Sequence, residues 1–158
     1  MYSPSSEPFS FSDVDQYAVW HNAMCDEIAA LRENRTWSLV PFYPSMNVVG
    51  SRWVYRIKHR VDGSIERYKV RLVARGFTQQ EGIDYSETFN PVIKQATIRL
   101  VFSIVVSRNW KIHQLDIHSA FLNGVLTEEV YMKQPPGFVG SSLPSHVCRL
   151  HKSFYGLK

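Results

Sequence analysis

A lone acidic side chain, Asp116, stands near the end of the run WKIHQLDIHSAFLNG (Trp110 to Gly124), where Ile112, Gln114 and Asp116 alternate with His113, Leu115 and Ile117. Such alternation reads as a short strand that passes into a turn and a short helical segment. A carboxylate at the end of a mostly apolar strand is costly to hold there unless a cation meets it. Divalent metals are the usual cations in that position, because hard ions take carboxylate and backbone carbonyl oxygens. Asp116 is therefore the candidate metal-binding acid, although one Asp is not a metal site and no obvious second accompanies it.

The other chemistry-bearing cluster is basic. Two strand-like runs, SRWVYRIKHR and SIERYKVRLVAR, flank Asp62-Gly63, a strong signal for a two-residue hairpin turn. Centring the turn there sets Trp53 opposite Leu72, Tyr55 opposite Val70 and Ile57 opposite Tyr68, an apolar face that a one-residue slip would destroy. The opposite face then pairs Arg56 with Lys69 and Lys58 with Arg67, with Arg52, Arg71 and Arg75 along the same side. Like charges facing each other cost on the order of 0.2–1 kcal/mol per pair. A phosphate chain or nucleic-acid backbone would relieve that repulsion and release counterions.

His146, Cys148 and His151 (HVCRLH) could suggest metal ligands, but no matching cluster stands elsewhere, so packing is the expected role.

The elements that must position these groups follow from periodicity. Residues 1 to about 12 are rich in Ser and Pro and read as a loose tail. Ser12 or Asp13 can cap a helix running to about Arg32, with Trp20, Ala23, Met24, Ile28 and Leu31 on one face, ended by Asn34. TWSLVPFYP reads as a short extended piece. After the hairpin, EGIDYSETFNPV is a polar loop in which Asp84 and Glu87 are expected to cap or to face solvent. A second helix spans about Gln95 to Ser107, with Ile98, Val101, Phe102, Val105 and Val106 at core spacing. EEVYMKQP is a further strand, and CRLHKSFYGLK begins another element.

Composition limits the function classes. The 158 residues are 44% hydrophobic, a globular proportion that excludes a disordered chain. The net charge of +4 is compatible with a polyanionic partner without requiring one. Two cysteines are too few for a disulfide framework and suit a reducing, intracellular setting. The start of the chain lacks a secretory pattern, and the apolar run Leu100 to Val106 is far too short to span a bilayer, so no membrane partner is expected.

In order along the chain, RWVYRIK…DGSIERYKVRLVARGFTQQEGIDYSETFNPV, then IRL, then QLDIHSAFLNGVLTEEVYMKQPPGF and KSFYGLK resemble the reverse transcriptase of copia-type LTR retrotransposons. The likeness starts near Trp20 and covers most of the chain through several ordered motifs. It implies an α+β fold, a partial right-hand polymerase made of a fingers β-hairpin and an incomplete palm with flanking helices. Residues 1–17 would be a flexible N-terminal tail and 18–95 a fingers-like region with the basic hairpin 50–76. Residues 96–158 would be a partial palm carrying Asp116, cut short at the C-terminus.

The implied activity is RNA-directed DNA polymerisation: nucleotidyl transfer to a primer 3′ end with RNA template, DNA primer and dNTP as partners. Asp116 matches the first palm aspartate, and the carbonyl of Ile117 would be a backbone metal ligand. Phe121 matches the ring that lies under the sugar and excludes a 2′-hydroxyl, and Ser119 and Ala120 would line the triphosphate and sugar. Lys58, Lys69 and Arg71 match the triphosphate-contacting strands, with Arg56, Arg67 and Arg75 as further phosphate-binding groups. Mg²⁺ or Mn²⁺ is the implied cofactor, since two ions about 3.5–4 Å apart would stabilise the attacking and leaving oxygens.

The sequence departs from the family in one respect. The second palm motif, an adjacent pair of aspartates, is absent from these 158 residues. The expectation is an N-terminal fragment of a polymerase, inactive alone, binding metal weakly and dependent on the remainder of the domain. A non-catalytic basic RNA- or DNA-binding module, or a degenerate retroelement remnant, is the alternative.

Overall fold

The computed structural model describes residues 7–8, 10–14, 17–85, 93–113 and 124–158. Helices α1 (Phe11–Val14) and α2 (Ala18–Glu33) lead into strands β1 (Trp37–Pro41), β2 (Val48–Val49), β3 (Ser51–His59) and β4 (Ile65–Ala74). A 3₁₀ turn at Gly76–Thr78 follows, then α3 (Gln95–Ser107), β5 (Val125–Met132) and β6 (His146–Lys152). The fold is α+β. Among the described residues no helix is long and apolar enough to cross a membrane.

The single N-terminal helix expected from about residue 12 is two helices. Asp13 does not cap the long one. Its carboxylate turns back to accept from the backbone N–H and hydroxyl of Ser10 (3.0 and 2.7 Å), a local capping pattern that closes α1 on itself. In the stretch expected to be a loose tail, Val14 is buried, Phe11 lies over Gly137 and Glu7 reaches β3, so these described residues are docked on the domain. α2 ends as its sequence suggests, with the Asn34 amide donating to the Ala30 carbonyl at 2.8 Å.

α2 is amphipathic in the expected sense: Trp20, Met24, Ile28 and Leu31 are all buried, and Ala23 is half-buried. They cover the apolar back of the β3–β4 hairpin. The Trp20 ring meets Tyr55 and Tyr68 edge-on at 5.4 and 4.7 Å, and the Tyr55 hydroxyl lies 3.7 Å from the Met24 sulfur. Full burial of each large apolar side chain contributes roughly 1.5–3 kcal/mol, so this layer is a principal source of stability.

β1, β6, β5 and β2 form a four-stranded sheet in that order, antiparallel except for the short parallel β5–β2 pair. Val49, Val130, Met132, Cys148 and Leu150 of this sheet join the same core cluster. The turn after β5 fastens the hairpin to it, since the Trp53 indole N–H donates to the Pro136 carbonyl at 2.9 Å.

The hairpin keeps the expected register but not the expected turn. Trp53–Leu72, Tyr55–Val70, Ile57–Tyr68, Arg56–Lys69 and Lys58–Arg67 are paired, yet His59 pairs with Ile65 after a register shift. The loop is three residues, Val61 to Gly63, closed by Gly63 N–H to the Arg60 carbonyl and Arg60 N–H to the Ser64 carbonyl (3.0 and 2.8 Å). Gly63 has φ +83°, the left-handed position of a type I turn followed by a bulge. That loop alone would have exchanged the two faces of one strand. The extra residue between the His59–Ile65 and Lys58–Arg67 pairs restores the alternation.

Of the two roles expected for Asp84, capping is the one found: it is 4% exposed, and its carboxylate accepts from the Asn47 amide and the Gln80 backbone N–H. α3 forms where its periodicity predicts, but Ile98, Val101, Phe102 and Val106 are exposed and no residue of the helix is buried. Its apolar stripe has no covering layer among the described residues. Trp110 to His113, at the start of the run expected to form a strand, are not in a strand; Gln114 to Asn123, with Asp116, lie outside the described residues, as does Glu87.

Candidate functional site: the basic face of the hairpin

Alternation along β3 and β4 sends the two sets of side chains to opposite sides. Ser51, Trp53, Tyr55 and Ile57 are buried, as are Val70, Leu72 and Ala74, whereas Arg52, Arg56, Lys58, Arg67 and Arg71 are exposed. Arg75 continues the pattern just past β4, its backbone N–H donating to the Gly50 carbonyl at 2.8 Å and its aliphatic stem against Gly50. Six predicted phosphate-binding side chains (Arg56, Lys58, Arg67, Lys69, Arg71 and Arg75) therefore share one side of one ribbon.

Lys69 stands at the centre of this face and is half-buried. Burial, followed by the positive charges of Arg71, Arg67 and Lys58, holds its ammonium below the ordinary lysine range. Glu27 offsets part of this repulsion, and an incoming anion would relieve more of it.

Two carboxylates meet the face from its two edges, and neither is signalled by the sequence. On the β3 side Glu7 accepts from the Arg56 guanidinium at 2.8 Å and from the Ile57 backbone N–H at 3.1 Å. On the β4 side Glu27 projects from α2. Burial pushes its carboxyl up, against the lowering effect of the Leu72 backbone N–H and of Arg71 and Lys69. Glu27 sits at the flank of the buried α2 stripe, where a polar residue ordinarily reads as solvent-facing.

A third unforeseen neighbour comes from the C-terminal segment. The Arg71 guanidinium carbon lies 5.1 Å from the centre of the Tyr155 ring. The motif KSFYGLK could have drawn attention to Tyr155, but nothing in its spacing connects it with a strand some eighty residues earlier.

Asp116, Ile117, Ser119, Ala120 and Phe121 lie outside the described residues. Among the described residues no three His, Cys, Asp or Glu side chains are grouped to hold a metal ion. His146 and Cys148 share one face of β6 while His151 points to the other, where its Nε2 is 2.9 Å from the Ser38 hydroxyl. Burial pushes the Cys148 thiol up to about 12, and its side chain belongs to the core cluster. HVCRLH is a packing strand.

Residues 34–158 match the family model described as reverse transcriptase (RNA-dependent DNA polymerase). The chain is 54% identical, over 97% of its length, to the retrovirus-related Pol polyprotein from transposon RE1 of Arabidopsis thaliana, and covers 10% of that protein. It is 52% identical over 98% of its length to the Pol polyprotein from transposon RE2 of the same plant, covering 11% of it. To the Pol polyprotein from transposon TNT 1-94 of Nicotiana tabacum it is 39% identical over its full length, covering 12%. The chain thus spans about a tenth of the length of these curated relatives. No solved structure matches it.

Proposed function

The chain belongs to the reverse transcriptase family of copia-type retrotransposon Pol polyproteins, and from that membership we propose that its basic hairpin grips the triphosphate of an incoming deoxynucleotide during RNA-directed DNA synthesis. On this reading the hairpin is the fingers element of a right-hand polymerase within residues 18–95, and residues 96–158 begin the palm. The observation that carries it is the shared face of Arg56, Lys58, Arg67, Lys69 and Arg71, opposite a fully packed apolar back. A ribbon selected for stability alone would scatter these charges.

Basic side chains in this arrangement hold β- and γ-phosphate oxygens and neutralise the charge that moves during phosphoryl transfer, which gains mainly from positioning and electrostatics. Phe121 beneath the sugar would select deoxyribose by sterics, with Ser119 and Ala120 lining the same pocket. Asp116 and the Ile117 carbonyl are hard oxygen donors of the kind Mg²⁺ or Mn²⁺ takes, and the remaining ligands would come from outside these residues. Bound there, such ions supply Lewis-acid stabilisation of the reacting oxygens. Template RNA and primer DNA are the partners. The family match favours this reading over a stand-alone basic binding module.

Two measurements test it. The 158-residue chain should bind dNTP or inorganic tripolyphosphate at low salt, and Lys58, Arg67 and Lys69 changed together to Glu should abolish that binding. The same chain alone should show negligible primer extension with Mg²⁺ or Mn²⁺, because it holds no adjacent aspartate pair. Loss of one metal ligand commonly costs several orders of magnitude in rate, each tenfold being about 1.4 kcal/mol of barrier. Robust incorporation by the chain alone would overturn the second expectation, and absence of any polyphosphate binding would overturn the first.

A further inference from the structure

The segment Tyr155–Lys158 crosses the C-terminal end of β4 and the 3₁₀ turn that follows it. The Tyr155 carbonyl accepts the Ala74 N–H at 2.8 Å, the Gly156 carbonyl accepts the Gly76 N–H at 3.0 Å, and the Gln79 side-chain carbonyl accepts the Lys158 N–H at 2.9 Å. The crossing is tight: Gly156 has φ +84°, and a Cβ there would overlap the Ala74 carbonyl and the Val73 side chain. Two backbone–backbone hydrogen bonds and one to the Gln79 side chain therefore fix where the Tyr155 side chain starts. Its ring stands 5.1 Å from the Arg71 guanidinium carbon, within the range of a cation–π contact.

An exposed arginine on a strand samples many rotamers, and fixing one on ligand binding costs free energy. Stacking on an anchored ring removes much of that freedom beforehand while leaving the planar fork open for two parallel hydrogen bonds to phosphate. We infer that Tyr155 is a positioning residue that presents the Arg71 guanidinium to a polyphosphate bound on the hairpin face. This rests on the proposed triphosphate-binding role of that face.

The test is a titration of inorganic tripolyphosphate into the full 158-residue chain at low salt, followed by calorimetry, with melting midpoints recorded for each variant. Tyr155→Phe keeps the ring and should bind as the parent does. Tyr155→Leu should weaken binding about two- to five-fold, the size of an exposed cation–π contribution. In an Arg71→Ala background Tyr155→Leu should have no further effect, because the ring acts through Arg71. Where Leu lowers the melting midpoint, Tyr155→Met, whose unbranched and flexible chain adapts to the gap without supplying a π face, takes its place. Parent-like binding by the Leu or Met variant overturns the inference, as does an equal loss in the Arg71→Ala background. A parent chain that binds no tripolyphosphate overturns the hairpin assignment itself, and the Tyr155 role with it.

Discussion

Gly76 and Gly156 cross backbone against backbone, the Gly76 N–H donating to the Gly156 carbonyl at 3.0 Å with no room for a Cβ on either residue. At Gly76 the added methyl would meet the Gly156 carbonyl oxygen, and at Gly156 it would meet that of Ala74. Neither obstacle can rotate away as a side chain can. Gly76→Ala and Gly156→Ala should each destabilise the chain by about 1–3 kcal/mol, the usual cost of forcing extra volume into a packed site. The C-terminal segment should loosen first. Hydrogen exchange at Ala74 and Lys158 reads that loosening directly, and unchanged protection in both variants would refute the crossing.

Lys69 should be a residue whose removal helps folding and harms binding. It faces Arg56 across the strands, and its ammonium is held low by burial and by Arg71, Arg67 and Lys58. Lys69→Gln is expected to raise stability by roughly 0.2–1 kcal/mol in a denaturant melt. The same change should weaken oligonucleotide or tripolyphosphate binding and flatten its salt dependence by about one unit of slope. A variant that is less stable would show that the like-charge repulsion is already relieved in the free chain.

Glu27 sets a pH dependence of definite sign. Burial raises its carboxyl above the ordinary value, so between that value and the raised one the folded chain binds more protons than the unfolded chain. Stability from this group is therefore full at acid pH and falls as pH climbs through the window. Glu27→Gln should remove that fall. Chemical-denaturation curves of the two proteins at several pH values isolate the difference, and parallel curves would rule the effect out.

The two cysteines should differ in reactivity. Cys148 is fully buried with its thiol pushed up to about 12, whereas Cys25 is exposed on α2. A thiol reagent at neutral pH should label one site promptly in the native chain and the second only after denaturation. Rapid labelling of both would mean that β6 opens readily.

The hairpin shows how far sequence reasoning reaches. Pairing of Trp53 with Leu72 and of Arg56 with Lys69 was legible because a burial pattern of period two admits one register. The compensating bulge beside His59 was not, since a longer loop and an extra strand residue leave the same alternation behind. Other features depend on chain segments far apart in sequence. Neither the pairing of Val48–Val49 with Tyr131–Met132 nor the approach of Tyr155 to Arg71 has a local signature. For α3 the period was right and burial did not follow, because amphipathicity specifies a face without supplying what covers it. For the site, the basic face was readable from charge spacing, while its flanking acids Glu7 and Glu27 were not.

The pairing of β1 with β6 has a consequence for synthesis. Trp37 is matched to Leu150 and Pro41 to His146, partners more than a hundred residues apart. On a ribosome adding about 5–20 residues per second, β1 must wait several seconds for its neighbour to emerge. α2 and the hairpin can collapse onto each other during that delay, since their contacts close much shorter loops. The nascent chain would therefore hold its phosphate-facing ribbon well before the second sheet exists, with the edge of β1 left to chaperones in the interval.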